Sequence, residues 1–114
     1  MINSFENYQA NMNFVNNTFE SNYAIQAGAI FSSKNMRQQT SSLHLTNNTF
    51  INNKCDKNGG VFSFILTDYI MYLRNNIYKN NTAGLAGGVG YALRASFVLL
   101  EEEGTSLNNS AGLF

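Results

Sequence analysis

The sequence predicts an all-β fold, a parallel β-helix (β-solenoid) of about three to four coils with a period of 28–31, and three observations predict it. A two-part motif recurs three times without gaps. Each copy contains short alternating stretches of strand size. Each stretch is closed by Asn or Gly, the residues that tolerate the backbone of a tight corner.

The motif runs Asn16-Asn17-Thr18-Phe19, then Asn22, Ala24, Gly28, Ala29 and Ile30. It returns as Asn47-Asn48-Thr49-Phe50, Asn53, Cys55, Gly59, Gly60 and Val61, and again as Asn75-Asn76-Ile77-Tyr78, Asn81, Ala83, Gly87, Gly88 and Val89. From each aromatic, Asn lies three residues on, a small residue five on, Gly nine on and a β-branched residue eleven on. The aromatics stand at Phe19, Phe50 and Tyr78, so the first interval is the longer by three. Asn108-Asn109-Ser110-Ala111-Gly112-Leu113 repeats Asn80-Asn81-Thr82-Ala83-Gly84-Leu85 after one more interval of the shorter kind. Asn3-Ser4-Phe5 reads as a degraded earlier copy. Residues 1–114 thus form a single repeat segment, with coils starting near 14, 44, 72 and 97. The expectation is an array truncated at both ends, a fragment of a longer one.

The first element of each coil is the alternating run before the Asn pair: Asn13-Phe14-Val15, Leu43-His44-Leu45-Thr46, Met71-Tyr72-Leu73-Arg74 and Phe97-Val98-Leu99. Alternation closed by turn residues reads as strand. Asn supplies the corner, since its short amide tolerates left-handed backbone. A second strand starts at the residue before the aromatic. The paired Gly-Gly or Gly-Ala makes the next corner, and a third strand opens at Ala29-Ile30-Phe31, Val61-Phe62-Ser63-Phe64 and Val89-Gly90-Tyr91-Ala92. About three strands per period make one solenoid coil. Helical repeats, leucine-rich repeats and the longer four-stranded propeller blades fit this spacing less well.

Stacking such coils turns the repeat into ladders. Phe19, Phe50 and Tyr78 form an aromatic one, Ile30, Val61 and Val89 an aliphatic one, and Asn22, Asn53 and Asn81 an amide one. Ala24, Cys55 and Ala83 share a slot for small side chains. Gly28, Gly59 and Gly87 hold the corner. The stretch from Ser32 to Ser42, with Lys34 and Arg37, carries the extra length of the first spacing and reads as a surface loop.

Composition narrows the function. Charged residues are 12% of the chain, against about a quarter in average globular proteins. The net charge is zero and the bases are scattered, which argues against a nucleic-acid partner. Polarity comes from amides, with nineteen Asn. Glu101-Glu102-Glu103 is the only charge run and reads as a solvated loop. No apolar stretch approaches the about 20 residues of a membrane span. Met1 to Phe14 is polar and lacks the pattern of a signal peptide. Cys55 is the single cysteine and reads as a buried structural thiol.

The pattern Phe19-x-x-Asn22-x-Ala24 followed by Gly28-Ala29-Ile30, with its two fuller echoes, resembles the polymorphic outer-membrane protein repeat of the chlamydial Pmp type. That family carries F-x-x-N and G-G-A-I motifs in tandem. The same signature occurs in proteins described as pectin-lyase-like. The resemblance covers about residues 13 to 113. It implies a right-handed parallel β-helix displayed at a cell surface and used in adhesion. Parallel crossovers also favour the right hand.

Enzyme chemistry on such a fold needs paired carboxylates across a sugar, or an acidic metal cluster with a base. Glu6, Glu20, Asp56, Asp68 and Glu101 to Glu103 occupy no equivalent strand positions in adjacent coils. His44 lies between Leu43 and Leu45 and points outward. No catalytic residue, cofactor or metal site is expected. Sequons at Asn16, Asn47, Asn80 and Asn108 are candidate glycosylation sites, although the repeat itself generates them. The expected function is a structural or adhesive surface-protein segment. Its expected partners are neighbouring repeats of the same parent, and a cell-surface protein or glycan. The alternatives are a carbohydrate-binding or polysaccharide-degrading β-helix, and a non-functional fragment of a repeat gene.

Overall fold

The computed structural model describes residues 2–4, 11–34, 41–65, 68–93 and 96–112. Within them the chain is all-β. A leading strand β1 (Ile2–Ser4) precedes a first circuit of β2 (Asn11–Val15), β3 (Thr18–Glu20), β4 (Tyr23–Ala24) and β5 (Phe31–Lys34). The second circuit is β6 (Ser41–Thr46), β7 (Thr49–Ile51), β8 (Lys54–Cys55) and β9 (Phe62–Ile65). The third is β10 (Asp68–Arg74), β11 (Ile77–Lys79), β12 (Thr82–Ala83) and β13 (Gly90–Leu93), and the fourth β14 (Ser96–Glu102), β15 (Thr105–Leu107) and β16 (Ser110–Ala111).

Successive circuits lie on one another in four parallel sheets. Sheet I orders β2-β6-β10-β14, sheet II β3-β7-β11-β15, sheet III β4-β8-β12-β16 and sheet IV β1-β5-β9-β13. The register repeats the sequence period: Phe19 pairs with Phe50, and Phe50 with Tyr78. Backbone hydrogen bonds between circuits continue through the corners. Thr49 N–H donates to Asn17 O, Ile77 N–H to Asn48 O and Thr105 N–H to Asn76 O, each at 2.9 Å.

Each circuit bends where one residue turns left-handed. The first corner falls at Asn16, Asn47, Asn75 and Glu103 (φ 51 to 59°), and the second at Ser21, Asn52, Asn80 and Asn108 (φ 53 to 56°). Gly28, Gly59 and Gly87 make the third (φ 45 to 75°). Asn suffices at the first two because its amide tolerates this region. Glycine is required at the third. A Cβ on Gly59 would overlap the carbonyl oxygen of Phe62, and one on Gly28 that of Phe31.

Inward side chains fill the tube in stacks. Phe19, Phe50 and Tyr78 stack with centroids 5.0 and 5.1 Å apart and planes within 5°. Phe31 and Phe62 form a second stack at 5.5 Å, which meets the first edge-on: Phe50 and Phe62 lie 5.8 Å apart at 60°. Leu43, Leu45, Met71 and Leu73 of sheet I close the third wall, with Ile30 and Val61 buried beside them. Ala24, Ala29 and Cys55 make a separate small cluster under sheet III.

The elements depart from expectation in five places. Circuits hold four strands rather than about three, because the residues after the second corner pair as a two-residue strand. The last strand starts at Phe31, Phe62 and Gly90, one or two residues later than its alternation suggests. Just before it a single carbonyl serves two donors: Ile30 and Phe31 N–H both reach Val61 O, at 3.1 and 3.0 Å. Ser32 to Lys34 and Ser41–Ser42 belong to strands, not to a loop, and residues 35–40 lie outside the described ones. Asn3 and Ser4 pair with Ser32 and Ser33, so they continue sheet IV rather than copy the Asn-Thr-Phe corner. Phe5 lies outside the described residues. Glu101 and Glu102 extend β14 and Glu103 takes the first corner, so the acidic run is exposed but is not a loop.

Candidate functional site

The recurring Asn residues divide into three rows with different work. Asn22, Asn53, Asn81 and Asn109 form a continuous amide ladder. Asn53 Oδ1 accepts from Asn22 N–H and Nδ2, both at 3.0 Å. Asn53 Nδ2 donates to Asn81 Oδ1 at 2.9 Å and to Phe19 O at 3.0 Å. Asn81 repeats the pattern towards Asn109 Oδ1 and Phe50 O, each at 2.9 Å. Both donors and both acceptor positions of each inner amide are used, which is what full burial demands. Asn53 and Asn81 are 0% exposed.

A second ladder joins Asn17, Asn48 and Asn76, the second residue of each Asn pair. Asn48 Oδ1 accepts from Asn17 N–H at 2.9 Å, and Asn76 Oδ1 from Asn48 N–H at 2.9 Å. Sequence reasoning treated the pair as a corner and missed this row. The signal was there, since the second Asn recurs at the same spacing as the aromatic.

The third row comprises the exposed corner residues. All four sequon asparagines, Asn16, Asn47, Asn80 and Asn108, stand here with positive φ. Asn75 Nδ2 donates to Asn47 Oδ1 at 2.9 Å, and Asn80 Nδ2 to Asn52 Oδ1 at 3.3 Å, both in solvent.

Two outward rows vary from circuit to circuit, while Thr18, Thr49 and Thr105 repeat in a third. The row Glu20, Ile51, Lys79, Leu107 runs along sheet II, and Tyr23, Lys54, Thr82, Ser110 along sheet III. Tyr23 donates from its hydroxyl to Asp56 Oδ2, and that bond holds the phenol above its ordinary pKa. Lys54 Nζ lies 3.8 Å from Asp56 Oδ1 and 5.9 Å from the Tyr23 ring centre. His44 is exposed and stacks on Tyr72 with centroids 4.5 Å apart. Among the described residues no three His, Cys, Asp or Glu converge as metal ligands, and no helix is long and apolar enough to cross a membrane. Glu6 and the Asp68 side chain lie outside what is described.

Among the described residues a concave site of about 350 Å³ opens at the end of the stack, where sheets I and II continue into the fourth circuit and sheet IV ends at β13. Three register positions that hold bulky apolar groups elsewhere change there together. Phe31 and Phe62 are followed by Gly90, Leu45 and Leu73 by Glu101, and Phe50 and Tyr78 by Ser106. The walls that remain are apolar, with Phe62, Phe64, Tyr78 and Tyr91 beside Met71, Leu73 and Val89. Glu101, which is exposed, is the only charged side chain of the lining among the described residues. Its Oε1 occupies the place of a side chain on Gly104, the residue that comes after Asn48 and Asn76 in their row. The Tyr78 hydroxyl is buried with no hydrogen-bond partner among the described residues. Burial pushes its pKa up, and the Glu101 charge pushes the same way. Sequence reasoning missed these three positions because it followed what recurs, and they do not.

No family model matches the chain, and neither a curated protein nor a solved structure matches it.

Proposed function

We propose that this chain is a right-handed parallel β-helix segment of a surface-displayed repeat protein, of the polymorphic outer-membrane type, with a structural or adhesive role. The observation that carries the reading is a division of labour. The residues that recur from circuit to circuit, the inner asparagines, the stacked aromatics and the corner glycines, hold the stack together. Outward rows vary more freely: Glu20, Ile51, Lys79 and Leu107 differ at every step, although Thr18, Thr49 and Thr105 recur on the same sheet. Strands about 4.8 Å apart then present varied side chains on a stiff rod. Surface recognition uses such a face, with specificity set outside the stack. The right hand follows from the resemblance and from the preference of parallel crossovers.

The test pairs stability with binding. Far-UV circular dichroism with a thermal melt at two concentrations is expected to give a β-rich, cooperative, concentration-independent transition. The folded chain is then screened against cell surfaces and a glycan array. Binding that is lost when outward residues of sheets II and III are exchanged, with the melt unchanged, supports an adhesive face. Full melting stability with no binding to any surface leaves the structural role and removes the adhesive one.

A further inference from the structure

We infer that the chain is N-glycosylated at one site in each circuit: Asn16, Asn47, Asn80 and Asn108. The sequence holds four triplets of Asn, any residue, then Thr or Ser. The fold distributes them one to a circuit. The first two asparagines stand at the first corner and the last two at the second, all with positive φ and all exposed. In the third circuit the triplet leaves the first corner, where Ile77 follows Asn75-Asn76. In that same circuit it enters the second corner, where Thr82 follows Asn80-Asn81.

The fold by itself does not demand this combination. The corner also accepts Ser21 and Glu103 in the same left-handed backbone. The outward position two residues on accepts Tyr23, Lys54 and Ile77. Exposed Asn and outward hydroxyl nevertheless coincide once in every circuit. Neighbouring circuits lie about 4.8 Å apart, so the change of corner keeps more than two glycans from standing in one file.

The co-substrate is an oligosaccharide carried on a lipid pyrophosphate. Asn Nδ2 bonds to the sugar C1, the bond from C1 to the pyrophosphate oxygen breaks, the amide gives up one proton, and the lipid pyrophosphate leaves. Transfer precedes folding. In the inner circuits the residue between amide and hydroxyl is enclosed, with Asn48 and Asn81 0% exposed. Thr49 and Thr82 N–H are also tied to Asn17 O and Asn53 O, at 2.9 and 2.8 Å. The finished stack then accepts the glycan. Asn47 keeps its Oδ1 for Asn75 Nδ2, and Asn80 keeps one Nδ2 hydrogen for Asn52 Oδ1.

The experiment starts with the full chain isolated from the cells that make it. Peptide N-glycosidase turns each glycosylated Asn into Asp. Mass mapping is expected to find that conversion at positions 16, 47, 80 and 108 and at no other Asn. Four unconverted asparagines overturn the assignment. Translation with microsomes then tests the triplet itself. Thr49→Val is expected to lose the glycan of Asn47, Thr49→Ser to keep it, and Ile77→Thr to add one at Asn75, with the melt of each variant unchanged. A glycan retained at Asn47 in Thr49→Val overturns the site. Chain folded before the microsomes are added is expected to take no glycan at Asn47 or Asn80, and equal transfer to folded and nascent chain overturns the order of events.

Discussion

The second and third circuits share their register with the fourth but not their interior. Around Phe50 the tube is packed without interruption: Phe19 and Tyr78 stack on its two faces, and Phe31 and Phe62 meet it edge-on. One or two steps on, Gly90, Glu101 and Ser106 occupy the matching positions, and all three are exposed. The backbone pairing passes from one region to the other unchanged. Asn81 N–H still reaches Asn109 Oδ1 at 2.9 Å, as Asn22 N–H reaches Asn53 Oδ1 at 3.0 Å. Register is thus held by backbone bonds and buried amides, while the filling of the tube is set separately by inward side chains. That separation lets a repeat array change its inward side chains without breaking its stack.

The comparison can be broken most severely at the amides. Asn53→Asp removes two donors and places a carboxylate where nothing neutralises it, so at neutral pH it is expected to cost about 3–5 kcal/mol. Burial raises the folded-state pKa of the new acid above its unfolded value. The charge part of the penalty should therefore vanish below the unfolded carboxyl pKa and be complete only above the folded one, leaving the lost donor at acid pH. Urea midpoints of variant and parent that differ equally at acid and neutral pH would break the argument.

Next in size is the core. Phe50→Ala is expected to cost about 3–5 kcal/mol. Ser106→Ala, at the same register position in the hollow circuit, is expected to stay within about 0.5 kcal/mol. Equal losses in chemical denaturation would mean that the two regions are packed alike.

A smaller effect of opposite sign is expected from Tyr78→Phe. It removes a buried hydroxyl that lacks a partner while keeping the ring stack, for a gain of about 1 kcal/mol. The parent phenol titrates higher when folded than unfolded, so its stability is intact below about pH 10 and falls as pH rises beyond that value. Tyr78→Phe should remove that alkaline loss, read as a flatter melting temperature against pH. The smallest change concerns the first corner, where Glu103 alone departs from Asn with φ 54°. Glu103→Asn is expected to stabilise by up to about 1 kcal/mol, measured by the same melt.

What the sequence made legible follows from periodicity. The spacing puts Phe19, Phe50 and Tyr78 on one line, and their rings stack. It puts Asn22, Asn53 and Asn81 on another, and their amides bond. Gly28, Gly59 and Gly87 stand at one corner because the motif marks the positive φ directly. Two features escaped for physical reasons. Adjacent asparagines look alike in sequence, yet left-handed backbone at Asn47 turns its side chain to solvent and leaves that of Asn48 inside. The Phe31–Phe62 stack ends at Gly90, so it never reached three copies and did not register as a ladder.

The unequal period has a practical corollary. Between Lys34 and Ser41 the chain spends three more residues than between the equivalent points after Ile65, yet the amide contacts on the two sides have the same lengths to within a tenth of an ångström. The junction between sheets IV and I can therefore lengthen without shifting any strand. Doubling such a connection costs only about 0.6 kcal/mol in closure entropy. A foreign peptide could be grafted there, between one circuit and the next, and the rod would carry it as cargo at a fixed height along its axis.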